Sequence, residues 1–249
     1  MGAGIALFPI MTRALSSGAL TLTLVASLFP PAHAAGPAAA APSILQRFLA
    51  LGDGNPSQFR ALRHLEARND HFEKSAWMDV WTEGDGSGFR YEIVAEEGSE
   101  YIRTKVFRAT LETERKVWAS GAPDKASITP ENYVFEEGEP RPDGLKSLVV
   151  KPRRKDLLLV DGFIFLNPDG ELVRIEGRLT KSPSFWTHHV DIVRWYKRIV
   201  GYRMPVALET VANVRIAGVS TFRMSYDYES VNGQRVGNPQ PRLLARATR

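Results

Sequence analysis

Between Met204 and Ile216 the chain keeps a strict two-residue period. Met204, Val206, Leu208, Thr210, Ala212, Val214 and Ile216 share one parity, while Arg203, Glu209, Asn213 and Arg215 stand on the other. That period belongs to a strand with one buried and one solvated face, and a helix cannot satisfy it. Gly218 follows, and Val219–Tyr228 pairs back with Phe222, Met224, Tyr226 and Tyr228 on one face. Upstream, Asn167-Pro168-Asp169-Gly170 is a strong turn between strands at 157–166 and 171–179, and a long strand spans Trp186 to Val200. The first half behaves alike. Phe59, Ala61, Leu65 and Ala67 alternate with Arg60, His64, Glu66 and Arg68, then Asn69-Asp70 turns the chain into Lys74–Thr82, which carries Trp77 and Trp81 on one face. Glu83–Gly88 is a hairpin loop into Phe89–Ala95, and a further strand covers Leu145–Val150. Turns this short make sequence neighbours pair, so the sheet is antiparallel and meandering. With on the order of ten strands it must curl, close or split.

Two helices are available to cover that sheet. Ser43 caps a short one that ends at Gly52. The second spans Ser99 to Ser120 without Gly or Pro, carries Ile102, Val106, Ala109 and Val117 at helical spacing, and stops at Gly121-Ala122-Pro123. The expected fold class is therefore α+β: a strongly curved antiparallel meander, a half-open barrel, with a short N-terminal helix and a long lid helix.

Residues 1–34 read as a signal peptide. Arg13 is the one charge, an apolar run extends from Ala14 to Phe29, Pro30-Pro31 breaks it, and Ala32-His33-Ala34 offers a cleavage site. The start lies at Met1 or Met11. Export to a periplasm with cleavage after Ala34 is the expectation, followed by a flexible linker at 35–42, a domain at 43–232 and a disordered basic tail at 233–249. The absence of cysteine removes disulfides, thiol nucleophiles and Cys-ligated zinc. A net charge of +4 is too small a bias for nucleic-acid binding.

Catalytic motifs are missing: there is no Gly-x-Ser-x-Gly elbow, Walker loop or His-Glu-x-x-His. Gly84, Gly86 and Gly88 precede a strand and so do not cradle phosphate. The paired acids Glu96-Glu97 and Glu136-Glu137 read as solvated. In His188-His189-x-Asp191 the adjacent histidines point to opposite faces of a strand, and His189 with Asp191 falls short of a zinc ligand set, so no metal or cofactor is expected. The basic run Lys151-Pro152-Arg153-Arg154-Lys155 reads as a solvated turn, or as a patch drawn to anionic headgroups at ~1 kcal/mol per charge.

Three stretches carry a family resemblance: DGFIFLNPDGELVRIEGRLTKSPSFW from Asp161, VDIVRWYKRIVGYRMPV from Val190, and MSYDYESVNG from Met224. With the order of elements they resemble the LolA-like lipoprotein-sorting proteins, a group related to LolB and the RseB N-terminal domain, and in particular an uncharacterised exported branch of it. The resemblance implies a concave hydrophobic cavity, lidded by helices, that receives acyl chains of a lipoprotein or lipid. On that basis Val173, Ile175, Val206, Leu208, Val214, Phe222, Met224 and Tyr226 are the expected cavity wall, with Ile102 and Val106 on the lid. The expected function is a monomeric, non-enzymatic periplasmic carrier of lipid or lipidated protein, in peripheral contact with a membrane or an envelope membrane protein. An RseB-like sensor or interaction module is the alternative, and an envelope hydrolase a more distant one.

Overall fold

Alternation on this scale becomes one continuous sheet in the computed structural model, which describes residues 42–242 apart from 53, 55, 121–125, 140, 182–186 and 216–217. Ten long or medium strands are β1 (Phe59–Asn69), β2 (Lys74–Asp85), β3 (Gly88–Gly98), β4 (Tyr133–Glu137), β5 (Lys146–Pro152), β6 (Val160–Leu166), β7 (Leu172–Leu179), β8 (Thr187–Ile199), β9 (Tyr202–Val214) and β10 (Gly218–Val231). A two-residue strand, β11 (Gln234–Arg235), pairs with the end of β10. All neighbours are antiparallel, in the order β3-β2-β1-β10-β9-β8-β7-β6-β5-β4, open at both ends.

Helix α1 (Ile44–Ala50) starts as its sequence dictates. Ser43 Oγ accepts from the Gln46 amide at 3.2 Å, and the Gln46 side chain accepts from the Ser43 amide at 2.8 Å, a reciprocal capping box. Helix α2 runs as an α turn (Glu100–Ile102), a π-helical segment (Arg103–Arg108) and an α segment (Ala109–Ala119). It follows one edge strand, β3, and precedes the other, β4. In a flat sheet those edges would lie roughly 43 Å apart, nine strand spacings. Curvature shortens such distances. Phe48 of α1 packs against Phe135 of β4 at 6.1 Å between centroids, and the Arg203 guanidinium of β9 sits 4.6 Å from the same ring. Strands five places apart in the order thus meet across one phenylalanine. Gly162 and Gly177, opposite each other in β6 and β7, permit close approach here: a Cβ on Gly162 would fall 2.1 Å from the Glu176 carbonyl oxygen.

The concave side holds a single apolar cluster to which all of β1–β10 and both helices contribute, from Leu65 and Met78 through Phe107 and Leu111 to Leu148 and Ile164. A smaller cluster, Ala61, Met204, Tyr228 and Val231, closes one end.

The structure corrects the sequence reading in four places. Strand β4 was hidden between loop-like segments. The strand expected from 157 begins at Val160, because Asp156 turns the chain by accepting from the Leu158 amide at 3.0 Å. The tail expected to be disordered from 233 is ordered as far as residue 242. Asn232 and Gly233, both at positive φ, form a tight turn into β11, and the Arg242 amide donates to Asp79 Oδ2 at 2.6 Å. The alternation of Met204–Ile216 is interrupted at Val206, where the register slips: Trp195 faces Ala207, but Tyr196 faces Pro205. The leader, most of the linker, the Gly121-Ala122-Pro123 stop, Trp186, Ile216 and residues 243–249 lie outside the described residues. Among the described residues no helix is long and apolar enough to cross a membrane.

Candidate functional site

Strand register assembles the inner face row by row. One transverse row reads Leu148, Ile164, Ile175, Arg194, Leu208, Met224, Leu65, Met78, each directly opposite the next from β5 through β10 to β2. Seven of these eight side chains are apolar and buried. Over the β10–β1–β2 end of the row lies α2, with Ile102, Phe107 and Leu111 buried beneath it and Phe107 against Phe222 at 6.0 Å. Trp118, near its end, packs against Phe59 and Phe89 at 5.9 and 6.4 Å.

Charged and polar side chains also hold the helix. Arg63, on the inner parity of β1 and 2% exposed, donates from Nη1 and Nη2 to the two Glu114 carboxylate oxygens at 2.6 and 2.8 Å. Its guanidinium also faces Tyr226 at 4.6 Å and Phe89 at 5.2 Å. Burial works against that charge, but Glu114 overrides it and the Arg63 pKa rises. A second tie is the Tyr91 hydroxyl donating to Glu112 at 2.6 Å. A third is Glu96, whose Oε1 accepts from Arg103 at 2.7 Å and Arg108 at 2.8 Å. Those arginines are five residues apart, and the i→i+5 winding of the π segment turns both toward one oxygen.

Of the expected wall and lid residues, Ile175, Leu208, Phe222, Met224, Tyr226, Ile102 and Val106 come together in the main cluster. Val206 packs in the smaller cluster instead, and Val173 and Val214 belong to neither. Val173 is the extra residue where Phe165 faces Arg174 and Leu166 faces Leu172, so it sits at a bulge as Val206 does. Val214 is at a strand end, opposite Thr187 and Gly218.

The sequence reading missed Arg63, Glu114, Arg194 and Tyr196. A signal existed: Arg63 interrupts the apolar parity Phe59, Ala61, Leu65, Ala67, and Arg194 interrupts that of Val190 and Ile192. Tyr226 and Arg194 lie deep among the strands, where burial pushes the Tyr226 hydroxyl pKa up, yet both are only half-buried.

Two features lie on the convex side. The His64 ring bridges Asp79 (Nδ1 to Oδ1, 2.7 Å) and Asp227 (Nε2 to Oδ2, 3.2 Å). Hydrogen bonds to Asp227 and Asp79 push the His64 pKa up to about 9, so at neutral pH the ring is charged, with both nitrogens donating. It has no lone pair to act as a general base. The other feature is a groove of about 960 Å³ on β5–β8, bordered by Lys151, Arg153, Arg154, Lys155 and Arg178 around Phe163. Lys151 pairs with Asp161 and Arg178 with Asp191, both at 3.0 Å, which neutralises part of it. His189 stands 3.6 Å from Asp191, and among the described residues no group of three or more His, Asp or Glu could hold a metal ion.

No family model matches this chain, and no curated protein matches it in sequence. Solved structures with some likeness include a DUF1329 family protein from Desulfovibrio piger, at 9% identity and a TM-score of 0.39 over 74% of this chain and 88% of that one. A domain from Vibrio parahaemolyticus, provisionally classed as an outer membrane lipoprotein-sorting protein, is similar at 12% identity and a TM-score of 0.41, over 82% of this chain and 96% of that one.

Proposed function

We propose that this is an exported, non-enzymatic binding protein that holds an acyl chain or similar amphiphile between α2 and the inner face of the sheet, and that its cargo is a lipid or lipidated protein bound for the outer membrane. One observation carries the reading. A helix lies against an inner face that is apolar but for its arginines, and three polar ties, Arg63–Glu114, Tyr91–Glu112 and Arg103/Arg108–Glu96, fasten it there. Charged groups regain hydration when a seam opens, so a helix fastened this way lifts at lower cost than one sealed by hydrocarbon alone. The magnitudes favour cargo entry. Each buried CH₂ contributes ~0.8 kcal/mol, so a long acyl chain supplies roughly 10 kcal/mol before ordering losses. The leader at 1–34 supports export, and the basic stretch Lys151–Lys155 suits a brief encounter with an anionic membrane.

The test is native mass spectrometry of protein purified from an exporting host, with lipid extraction of the same sample and titration with a fluorescent acyl probe. A co-purifying amphiphile, displaced by the probe, is the expected result. Recovery of empty protein that also ignores the probe overturns the proposal.

A further inference from the structure

Arg194 is the anomaly of the inner face. It occupies the fourth place in the row Leu148, Ile164, Ile175, Arg194, Leu208, Met224, Leu65, Met78, with hydrocarbon on either side. Among the described residues no carboxylate forms an ion pair with it. The Tyr196 and Tyr226 phenols, both neutral, are its electrostatic neighbours, and its Nε is buried without a hydrogen-bond partner. Glu114 also acts on it, but both Glu114 oxygens already accept from Arg63. The centre of the concave face thus holds two guanidinium charges and one carboxylate. An uncompensated charge among apolar side chains is costly unless a counter-charge arrives. Arg194 and Tyr226 are themselves half-buried, less sealed than the apolar residues of the row.

We infer that Arg194 is the head-group anchor of the proposed ligand site, and that the site selects an amphiphile with an anionic head, a carboxylate or a phosphate monoester, over an uncharged one. This rests on the carrier reading and narrows it. The ligand's head meets the Arg194 guanidinium, with the Tyr196 and Tyr226 hydroxyls beside it, and its tail runs along Ile175 and Leu208 beneath α2. A carboxylate or phosphate supplies the two acceptors that a guanidinium fork takes, and it returns the interior to electrical balance.

The experiment measures binding of laurate, dodecyl phosphate and uncharged 1-dodecanol to the full chain by intrinsic fluorescence, for wild type and for Arg194→Leu and Arg194→Lys. Wild type is expected to bind at least one of the two anionic ligands about tenfold or more tighter than the alcohol, the difference one charge-assisted pair makes. The stronger of the two identifies the head. Arg194→Leu continues the apolar row, and should bind the alcohol as well as wild type does while losing the anionic preference. Arg194→Lys should keep a reduced preference. The ligand-free Tm of Arg194→Leu is expected to rise, whereas a purely structural arginine would lower it. Equal binding of all three ligands by wild type, or an anionic preference that survives in Arg194→Leu, overturns the inference and leaves the carrier reading standing. Binding of none of them overturns both.

Discussion

Arg63 and Glu114 pose the plainest energetic question at the scale of single residues. The guanidinium is 2% exposed and the carboxylate 29%, so deleting the acid strands a buried cation while deleting the base frees a group that water reaches. Glu114→Ala is therefore expected to cost about 3 kcal/mol in urea unfolding, the lower end for a broken buried pair. Arg63→Met with Glu114→Leu should recover most of that loss, because two apolar groups of similar volume leave nothing unpaired. A double variant no more stable than Glu114→Ala would refute the account. His64 gives a pH dependence of definite sign. Its pKa is raised in the fold from 6.5 to about 9, chiefly by Asp227 and then Asp79, so the charged ring is favoured by folding. That stability is complete below about pH 6.5 and is lost as pH rises through about 9. Urea midpoints of wild type should fall over that interval, and those of His64→Gln should fall less; parallel profiles would show that the ring does not titrate there.

Gly84 decides how α2 meets the sheet at the scale of elements. The space a side chain would take there is filled by Phe59 and Trp118: a Cβ would lie 2.5 Å from Phe59 Cε1 and 2.8 Å from two ring carbons of Trp118. Gly84→Val should push the end of α2 outward and cost about 1–3 kcal/mol by overpacking. Hydrogen exchange should quicken across Ala109–Ala119 with β1 and β10 still protected, and uniform loss of protection would show instead that helix and sheet open as one unit. The helix itself was legible from its apolar spacing and its freedom from Gly and Pro; its π segment was not, because that winding answers to Glu96, a residue on another element. The strands were legible wherever period two ran unbroken. Val173 and Val206 were misplaced because each sits at a bulge, and one extra residue turns every later side chain to the opposite face. The lesson of Arg63 and Arg194 differs. Both broke an apolar parity visible in the chain, but whether such a residue is a strand-end irregularity or a buried charge depends on what the curvature of the sheet brings opposite it.

The C-terminal segment shows, for the whole molecule, how composition misleads. Proline and arginine between Gly233 and Arg249 suggest a solvated tail, yet Pro241 is buried and Arg242 reaches Asp79, a side chain with no exposure at all. Burial raises the cost of that carboxylate, and His64 and the Arg242 amide more than offset it, so its pKa falls below the usual carboxylate range. Two contacts of Arg242 can be separated. Its side chain reaches Glu66 and stands 5.9 Å over the Trp77 ring, both at a surface where such pairs contribute under about 1 kcal/mol, and its Nε stands 3.8 Å from Asp79 Oδ1, too far for a hydrogen bond. Its backbone N–H satisfies a buried anion, and losing a hydrogen bond of that kind costs about 1–3 kcal/mol. A chain ending at Pro239 keeps β11 and the Val236 and Gly237 amide bonds to the Glu229 carbonyl oxygen but lacks both contacts of Arg242. It should therefore lose about 1–3 kcal/mol, whereas Arg242→Ala, which keeps the amide, should lose less than about 1 kcal/mol. Equal losses in urea unfolding would place the contribution in the side chain and refute the backbone argument. A larger loss on truncation would make the segment a strap held by the Arg242 amide and the buried Pro241 on the convex face, across the sheet from the site that α2 covers.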